Sequence, residues 1–195
     1  MSKKVIIVGA SHGGHEAIRE LLNRYNDIDI TLFESGDFIS FMSCGMELYL
    51  ENKVTNVNDV RNFGPDTFTE PNVHVLNNHT VTKINSDKKT VTVKDNKGQV
   101  KDYPYDKLIL SSGVTPNSLP VKGTDLENVY LMRGKDWATK IKSKLTDPSV
   151  KNMTIIGAGY IGIEAAEASV KAGKHVTLLD MIDRPLGAYL DKDIS

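Results

Sequence analysis

The sequence predicts an α/β fold in which two strand–helix–strand units are separated by an antiparallel β-meander. A short apolar run followed by a glycine-rich turn occurs twice, in residues 5–14 and again in residues 153–162. Between them, apolar residues alternate along short runs that turn residues interrupt, which is typical of hairpins. Repetition of one supersecondary unit predicts two nucleotide sites, because each copy can hold one nucleotide.

The first unit starts with the apolar run Val5 to Val8, a short buried strand that enters the turn Gly9-Ala10-Ser11-His12-Gly13-Gly14. A helix follows, because the next apolar residues fall at helical spacing: Ala17, Ile18, Leu21 and Leu22. Asn26-Asp27 then breaks the chain before a second strand, whose apolar residues alternate at Ile28, Ile30 and Leu32.

The middle of the chain, from Val73 to Leu110, predicts the antiparallel meander. Its alternating apolar positions are Val73/Val75, Val81/Ile84 and Val91/Val93, and its turns are Asn77-Asn78, Ser86-Asp87 and Asn96-Lys97-Gly98. Leu108-Ile109-Leu110 forms a last strand that enters Ser111-Ser112-Gly113. Because Pro116 and Pro120 punctuate an exposed linker after it, we place the domain boundary between residues 115 and 116.

The second unit carries all three glycines of a dinucleotide loop. Met153 to Ile156 leads into Gly157-Ala158-Gly159-Tyr160-Ile161-Gly162, an alanine-rich helix follows, and Val176 to Asp180 is the next strand. Such a turn presents backbone N–H groups and the positive end of a helix dipole to a pyrophosphate, and the missing side chains allow close approach. Asp180 favours NADH over NADPH, because a carboxylate there accepts the ribose 2′-hydroxyl and repels a 2′-phosphate.

The first loop is a less complete match. Ser11 stands where the middle glycine would be, although Gly9 and Gly14 fit and Glu34 ends the following strand. Each loop also has an alternative interpretation as a tight strand-to-helix turn that binds nothing. The occurrence of two such loops in one chain favours the nucleotide interpretation.

Cys44 is the single cysteine of the chain, so it has no intrachain disulfide partner. The segment from Ser43 to Leu50 predicts a helix start with Ser43 as the cap, and the helix dipole there favours the thiolate, which is the form that attacks disulfides and peroxides. The alternative is that Cys44 is a small buried apolar residue, with Met42 and Met46 as core residues beside it.

Composition excludes several classes of partner. With 24 basic and 25 acidic residues and a formal net charge of −1, the chain has no basic field for nucleic acid or an anionic membrane. The first apolar run is too short for a signal peptide and none is long enough to span a membrane, so we expect a cytoplasmic protein.

The histidines form no ligand cluster, and no metal is predicted. The alternating Lys140, Lys142 and Lys144 are interpreted as a solvated helix face.

Four stretches together resemble the flavin-dependent NADH peroxidase and water-forming NADH oxidase family, the single-cysteine members of the pyridine nucleotide-disulfide oxidoreductase group. They are Gly9 to Gly14, Ser40 to Leu50, Tyr130-Leu131-Met132-Arg133-Gly134 and Gly157 to Glu167. The resemblance covers the whole chain, and it is closest to NADH peroxidase at Ser11-His12-Gly13-Gly14, at Met46 and at Asp183 to Asp191. The wider group has a second cysteine five positions after the first, where this chain has Tyr49, which excludes a dithiol mechanism.

The resemblance implies a Rossmann-like FAD-binding domain in residues 1–115, followed by a linker and the N-terminal part of a Rossmann-like NAD-binding domain in residues 116–195. It also implies that NADH delivers hydride to FAD, that hydrogen peroxide oxidises the Cys44 thiolate to a sulfenic acid, and that reduced FAD restores the thiolate. Family members are more than twice as long and pair through a C-terminal dimerisation domain. We therefore expect a homo-oligomeric parent enzyme, and little activity from residues 1–195 alone.

The resemblance implies a set of site residues. Cys44 and His12 are the catalytic residues, and the FAD contacts are Gly9, Ala10, Ser11, His12, Gly13, Glu34, Cys44, Ser111, Ser112, Gly113, Val114 and Arg133. The NADH contacts are Ile161, Asp180 and Tyr189. Alternatives remain for three of these: His12 as a histidine that only shapes the turn, Ser111 to Gly113 as an ordinary strand end, and Tyr189 as a surface aromatic residue.

Three competing functions remain open from the sequence. The first is a water-forming NADH oxidase, in which the reduced flavin reacts with oxygen. The second is a coenzyme A disulfide reductase, although that family usually has Gly-Leu-Pro-Tyr-Tyr after its cysteine where this chain has Gly45-Met46-Glu47-Leu48-Tyr49. The third, from a different class, is a nucleotide-binding module without catalysis.

Overall fold

The computed structural model describes residues 2–64 and 66–195. In chain order the elements are β1 (Lys3–Val8), α1 (His12–Arg24), β2 (Ile28–Phe33), α2 (Met46–Leu50), β3 (Val73–Leu76), β4 (Thr80–Asn85), β5 (Thr90–Lys94), β6 (Val100–Pro104), β7 (Lys107–Leu110), α3 (Gly134–Thr146), β8 (Asn152–Ile156), α4 (Tyr160–Lys171) and β9 (His175–Leu179). The chain divides into two compact units, one of Met1–Met42 with Arg61–Val114 and the other of Ser43–Val60 with Thr115–Ser195.

The first unit contains a parallel four-stranded sheet with the strand order β3-β2-β1-β7. This order places β1, which enters the first glycine turn, between two neighbours, as in dinucleotide-binding folds. One face of the sheet packs against α1 through Ile7, Ile18, Ile30 and Leu32, each fully buried. Burial of one such side chain stabilises a fold by about 1.5–3 kcal/mol, so this layer fixes β1 and α1 on either side of the turn.

The meander packs on residues of the sheet's opposite face. Strands β4, β5 and β6 form a separate antiparallel sheet, and Val91 and Val93 of β5 are buried in a cluster with Ile6 and Phe33. The rings of Phe33 and Tyr103 meet edge to face at 4.9 Å. The first unit is therefore a three-layer arrangement of helix, parallel sheet and meander.

The predicted fold class is confirmed, but the meander predicted from Val73 to Leu110 is wrong at both ends. Strand β7, at its end, pairs in parallel with β1 and belongs to the main sheet. Strand β3, which contains Val73 and Val75, pairs in parallel with β2 and belongs to the main sheet. Asn72 sets this pairing, because its side-chain amide donates to the Ile28 carbonyl and its own carbonyl accepts from the Ile30 N–H. A four-residue strand has the same alternation in either sheet, so periodicity alone does not identify its partner.

The second unit contains a parallel pair of strands, β8 and β9, connected by α4, and this is the predicted second strand–helix–strand unit. It also contains α3, whose buried residues Ala138, Ile141 and Leu145 recur at helical spacing. The sequence placed residues 1–115 in one domain, whereas the contacts place Ser43–Val60, with α2, in this unit. Which unit serves which nucleotide stays a prediction.

Among the described residues, the helices are all too short or too polar to cross a membrane.

Candidate functional site

The first glycine loop, between β1 and α1, leaves no room for side chains at two of its positions. Gly9 has φ +101°, and a β-carbon on Gly14 would lie 2.0 Å from the Gly9 carbonyl oxygen. The helix start therefore packs directly on the backbone of the strand end, which leaves the backbone of the turn open to a ligand. The loop glycines are needed for this geometry, as the sequence predicted.

Ser111 lies against the same loop from β7. Its N–H donates to the Val8 carbonyl at 2.8 Å, and a β-carbon on Gly13 would lie 2.6 Å from its Oγ. The next three predicted residues, Ser112, Gly113 and Val114, follow at the end of the strand with exposed side chains or backbone. The structure thus brings the 111–114 segment together with the first glycine loop at the carboxyl ends of two parallel strands.

Glu34 is bound to the first loop through its carboxylate. Its Oε2 accepts a hydrogen bond from the Ala10 N–H at 2.9 Å, and its Oε1 accepts one from the Gly36 N–H at 2.8 Å. The Ser35 hydroxyl also donates to Oε1, at 3.2 Å, so of the roughly four acceptor positions of a carboxylate one remains, on Oε2, for a ribose hydroxyl. The predicted place of Glu34 at the end of the second strand corresponds to this contact.

His12 and Ser11 are exposed at the start of α1. The imidazole Nδ1 of His12 lies 3.4 Å from the Ser11 Oγ. An exposed imidazole at the first residue of a helix is accessible to a small substrate. A catalytic role of His12 stays a prediction.

His15 lies one turn further along α1 and is fully buried. Its ring stacks on those of both Phe63 and Phe68, with centroid distances of 5.0 and 5.3 Å, and these two rings are themselves 6.5 Å apart. Its Nδ1 lies 3.2 Å from the Ser11 carbonyl oxygen. Burial lowers the pKa of His15, and the neighbouring backbone carbonyls oppose that effect in part. A neutral, buried imidazole therefore contacts the backbone of the first glycine loop at Ser11. The sequence does not predict this role for His15.

The second glycine loop repeats the geometry of the first. Gly157 has φ +106°, and a β-carbon on Gly162 would lie 1.7 Å from the Gly157 carbonyl oxygen. Asp180 accepts hydrogen bonds from the N–H groups of Ala158 and Ile182. These two bonds, the Ala158 bond being the larger effect, lower the pKa of Asp180. The carboxylate predicted to select NADH therefore lies on the loop in its ionised form.

Aromatic side chains lie beside the second loop. The rings of Tyr160 and Tyr189 are 4.7 Å apart, and Tyr189 is the neighbour that a β-carbon on Gly159 would meet. Arg184 holds the segment that carries Tyr189, because its guanidinium donates to the carbonyls of Gly187 and Leu190. Tyr160, Ile161 and Tyr189 are all more than half exposed, at 52%, 57% and 62%.

Cys44 is exposed, which contradicts the alternative that it is a buried core residue. It lies in a short 3-10 turn, Ser43–Gly45, and the α-helix behind it begins only at Met46. The predicted cap is also wrong, because the residue at the N-cap position is Gly45 and no side chain caps the helix. A five-residue helix has few aligned peptide dipoles, so its effect on the thiol is small.

The helix behind Cys44 is held by lysines from two other helices. Lys142 of α3 donates to the Leu50 carbonyl at 2.6 Å, and Lys171 of α4 donates to Glu51 at 2.7 Å. The interpretation of Lys142 as a solvated residue is therefore wrong. Its contact spans a wide gap in the sequence, and no local pattern indicates such a pair.

Three glutamates lie close together at the helix that follows Cys44. One carboxylate oxygen from each of Glu47, Glu51 and Glu167 lies within 4.8 Å of the others. The Lys171 ammonium contacts both Glu51 and Glu167, so this is an ion-pair network with its own cation.

Arg133, a predicted FAD contact, precedes α3 at its N-cap position and is exposed.

Comparisons with known proteins agree with these features. The family model described as pyridine nucleotide-disulphide oxidoreductase matches residues 3–195. An NADH oxidase from Enterococcus faecalis is 40% identical over 190 residues, which cover 97% of this chain and 42% of that protein. A coenzyme A disulfide reductase from Staphylococcus haemolyticus is 32% identical, covering 99% of this chain and 43% of the relative.

A solved structure gives the same result for the fold. The water-forming NADH oxidase from Lactobacillus brevis, bound to NADH, superimposes with a TM-score of 0.92 at 37% identity, covering 99% of this chain and 43% of that one. The chain thus spans less than half the length of the relatives and structures that it matches.

Proposed function

The chain belongs to the pyridine nucleotide-disulphide oxidoreductase family, and from this we propose that the enzyme containing it oxidises NADH through FAD and reduces hydrogen peroxide to water at Cys44. The observation that carries the proposal is a single exposed cysteine in a chain with two dinucleotide loops. The substrates are small molecules, and no nucleic acid or membrane is involved. The protein acts as a homo-oligomer in the cytoplasm.

The residues of the first unit fit FAD. The backbone of the Gly9 to Gly14 turn is open because of the close approach of Gly14 to Gly9, and it is suited to a pyrophosphate. The Glu34 carboxylate has one acceptor position left for a ribose hydroxyl, and Ser111, Ser112 and Gly113 border the loop with small residues. When bound, FAD accepts a hydride and passes electrons on.

The second unit supplies the NADH site of this proposal. Its loop, Gly157 to Gly162, receives the pyrophosphate, and Asp180 accepts the adenosine ribose hydroxyl. Because its pKa is lowered, Asp180 is ionised at neutral pH and repels the 2′-phosphate of NADPH. Tyr189, Tyr160 and Ile161 provide exposed apolar surface beside the loop for the rest of the dinucleotide.

Cys44 carries the peroxide step. Its thiolate attacks one peroxide oxygen, so that an S–O bond forms and the O–O bond breaks, and the departing hydroxide takes a proton to become water. The resulting sulfenic acid needs two electrons and a proton to release a second water and return to thiolate. NADH supplies these electrons, and we assign to His12 the hydrogen bond or proton for the leaving hydroxide.

A dithiol route does not fit this chain. The place of the family's second cysteine is taken by Tyr49, which is 9% exposed within α2, and Cys44 is the single cysteine in the sequence. Within residues 1–195, an oxidised Cys44 therefore has no second thiol with which to form a disulfide. Conversion of one thiolate to a sulfenic acid needs no second thiol, so a single-cysteine route suits hydrogen peroxide.

A water-forming NADH oxidase is the second candidate, and the names of the relatives from E. faecalis and L. brevis favour it. The two candidates share the Cys44 step and differ in whether oxygen reaches the reduced flavin. The loop Ser11-His12-Gly13-Gly14 favours the peroxidase. Reduction of coenzyme A disulfide, supported by the S. haemolyticus relative, is less consistent with Gly45 to Tyr49.

The test uses the flavin-loaded protein with its native flanking sequence and follows NADH consumption under two conditions. We expect fast consumption with peroxide under nitrogen, slow consumption with oxygen alone, and loss of the peroxide reaction in Cys44→Ser. Fast consumption of oxygen without peroxide release would favour the oxidase instead. Full peroxide reduction by Cys44→Ser would reject both, and absence of any NADH oxidation would favour a binding module.

A further inference from the structure

We propose that Lys142 and Lys171 are positioning residues for Cys44, because they hold the C-terminal end of α2, the helix that follows the Cys44 turn, on α3 and α4. The inference rests on the proposed function, because it concerns the same cysteine. It adds two residues from outside the Cys44 segment whose contacts decide where that segment lies.

The helix behind Cys44 needs support from outside. Helix α2 has five residues, and an isolated helix of that length is not stable in water. The last carbonyl groups of any helix also lack partners within the helix. Cys44 and the 3-10 turn that carries it therefore have a fixed place only if other elements hold α2.

Lys142 supplies one of these contacts. Its ammonium donates to the Leu50 carbonyl, the last of α2, at 2.6 Å, and lies 5.6 Å from the centroid of the Tyr49 ring. Burial lowers the pKa of Lys142, in agreement with a partly desolvated amine held inside the contact. A positive charge at a helix C-terminus also interacts favourably with the helix dipole.

Lys171 supplies the second contact, at the residue that follows α2. The Glu51 side chain is 2% exposed and accepts from Lys171 at 2.7 Å and lies 2.6 Å from Lys53. These partners, Lys171 first, lower the pKa of Glu51, and bonds from Glu167 and Glu51 raise the pKa of Lys171. Displacement of Lys171 would leave one oxygen of this carboxylate, Oε1, without its cation while Lys53 remains at Oε2, so the contact between Glu51 and α4 is favoured.

Lys171 connects its contact with Glu51 to the second glycine loop through α4. Lys171 is the last residue of α4, and α4 begins at Tyr160, inside the second glycine loop. One rigid helix therefore has the proposed NADH loop at its first turn and the Cys44 support at its last. Displacement of α4 relative to α2 changes the place of Cys44.

The experiment uses Lys142→Met and Lys171→Met in the flavin-loaded protein, with Lys140→Met as the matched control from the exposed side of α3. We measure NADH oxidation by ferricyanide, kcat and KM for peroxide, and the pH dependence of Cys44 alkylation by iodoacetamide. We expect an unchanged ferricyanide rate, a fall in kcat/KM for peroxide on the order of tenfold, and an altered alkylation profile. Lys140→Met should match the parent protein in all three.

Glu51→Gln and Lys171→Arg keep the inference testable if Lys171→Met folds poorly, and a double-mutant cycle on the same pair is a separate test. Glu51→Gln preserves the side-chain volume, and Lys171→Arg preserves the charge and should restore the parent alkylation profile. The double variant Glu51→Gln/Lys171→Met should lose less kcat/KM for peroxide than the product of the two single-variant losses, because both substitutions break the same contact. Additive losses, or parent-like alkylation in both lysine variants, would overturn the inference. Peroxide reduction that survives in Cys44→Ser would reject the proposed function and leave the alkylation test standing.

Discussion

The backbone N–H of Ala10 donates a hydrogen bond to Oε2 of Glu34 at 2.9 Å, and this contact joins the first glycine loop to the end of the second strand. Ala158 and Asp180 repeat it in the second unit. In both places the acceptor is a carboxylate that lies where the ribose of a dinucleotide binds in folds of this type. The same contact between a carboxylate and a loop N–H therefore occurs in both units. Substitution of the acidic residue tests whether it selects the nucleotide.

The first prediction concerns nucleotide choice. Replacement Asp180→Ser removes the charge that disfavours a 2′-phosphate and weakens the acceptor for a 2′-hydroxyl. A hydrogen bond to a charged group contributes about 1.5–3 kcal/mol, so kcat/KM for NADH should fall at least about tenfold while that for NADPH rises. Steady-state kinetics with both nucleotides measure this. The exposed Asp193→Ser is the control, and an unchanged NADH/NADPH ratio in Asp180→Ser would contradict the assignment.

A second prediction concerns the first loop. In Gly14→Ala the new methyl group would lie 2.0 Å from the Gly9 carbonyl oxygen, so α1 has to move away from β1. We expect the purified variant to retain little FAD, measured by the ratio of flavin absorbance to protein absorbance. Gly64→Ala is the control, because a β-carbon there meets nothing within 4 Å. Equal FAD content in the two variants would mean that the loop is an ordinary turn.

The sequence predicts the features that depend on residues close together in the chain, and it misses most of those that depend on residues far apart. Both strand–helix–strand units and both loops were predicted, because they depend on local periodicity and on glycines a few residues apart. The placement of β3, the support of Cys44 by Lys142 and the stacking of His15 on Phe63 depend on residues far apart in the chain. The 3-10 turn at Cys44 was missed for another reason, since Ser43 resembles a cap whether or not its side chain makes the bond.

A third prediction is the pH dependence that His15 imposes. The pKa of His15 is lowered in the folded protein from 6.5, so the unfolded chain binds a proton more readily. The stability contributed by neutral His15 is complete above about pH 6.5 and is lost as the pH falls toward the lower folded pKa. In His15→Phe, whose aromatic ring can take the place of the imidazole beside Phe63 and Phe68, the fall in Tm between about pH 7 and pH 5 should be smaller.

Thermal unfolding at a series of pH values tests this, with His175→Gln as the control because His175 is exposed. The control should follow the parent curve. If His15→Phe also loses stability at the parent's rate on acidification, the buried imidazole is not the responsible group. A uniform loss of Tm at all pH values would instead report only the missing contact between Nδ1 and the Ser11 carbonyl.

The last prediction addresses the role of His12. If its imidazole assists departure of hydroxide from peroxide, His12→Gln should lower kcat/KM for peroxide by about 100-fold, the lower range for general acid catalysis. The ferricyanide reaction with NADH should remain near the parent rate, because it does not use Cys44. His12 is exposed at the first residue of α1, so the substitution leaves the packed side of the helix intact and FAD content serves as the internal control. A parallel loss of FAD and of both activities would show that His12 only shapes the turn.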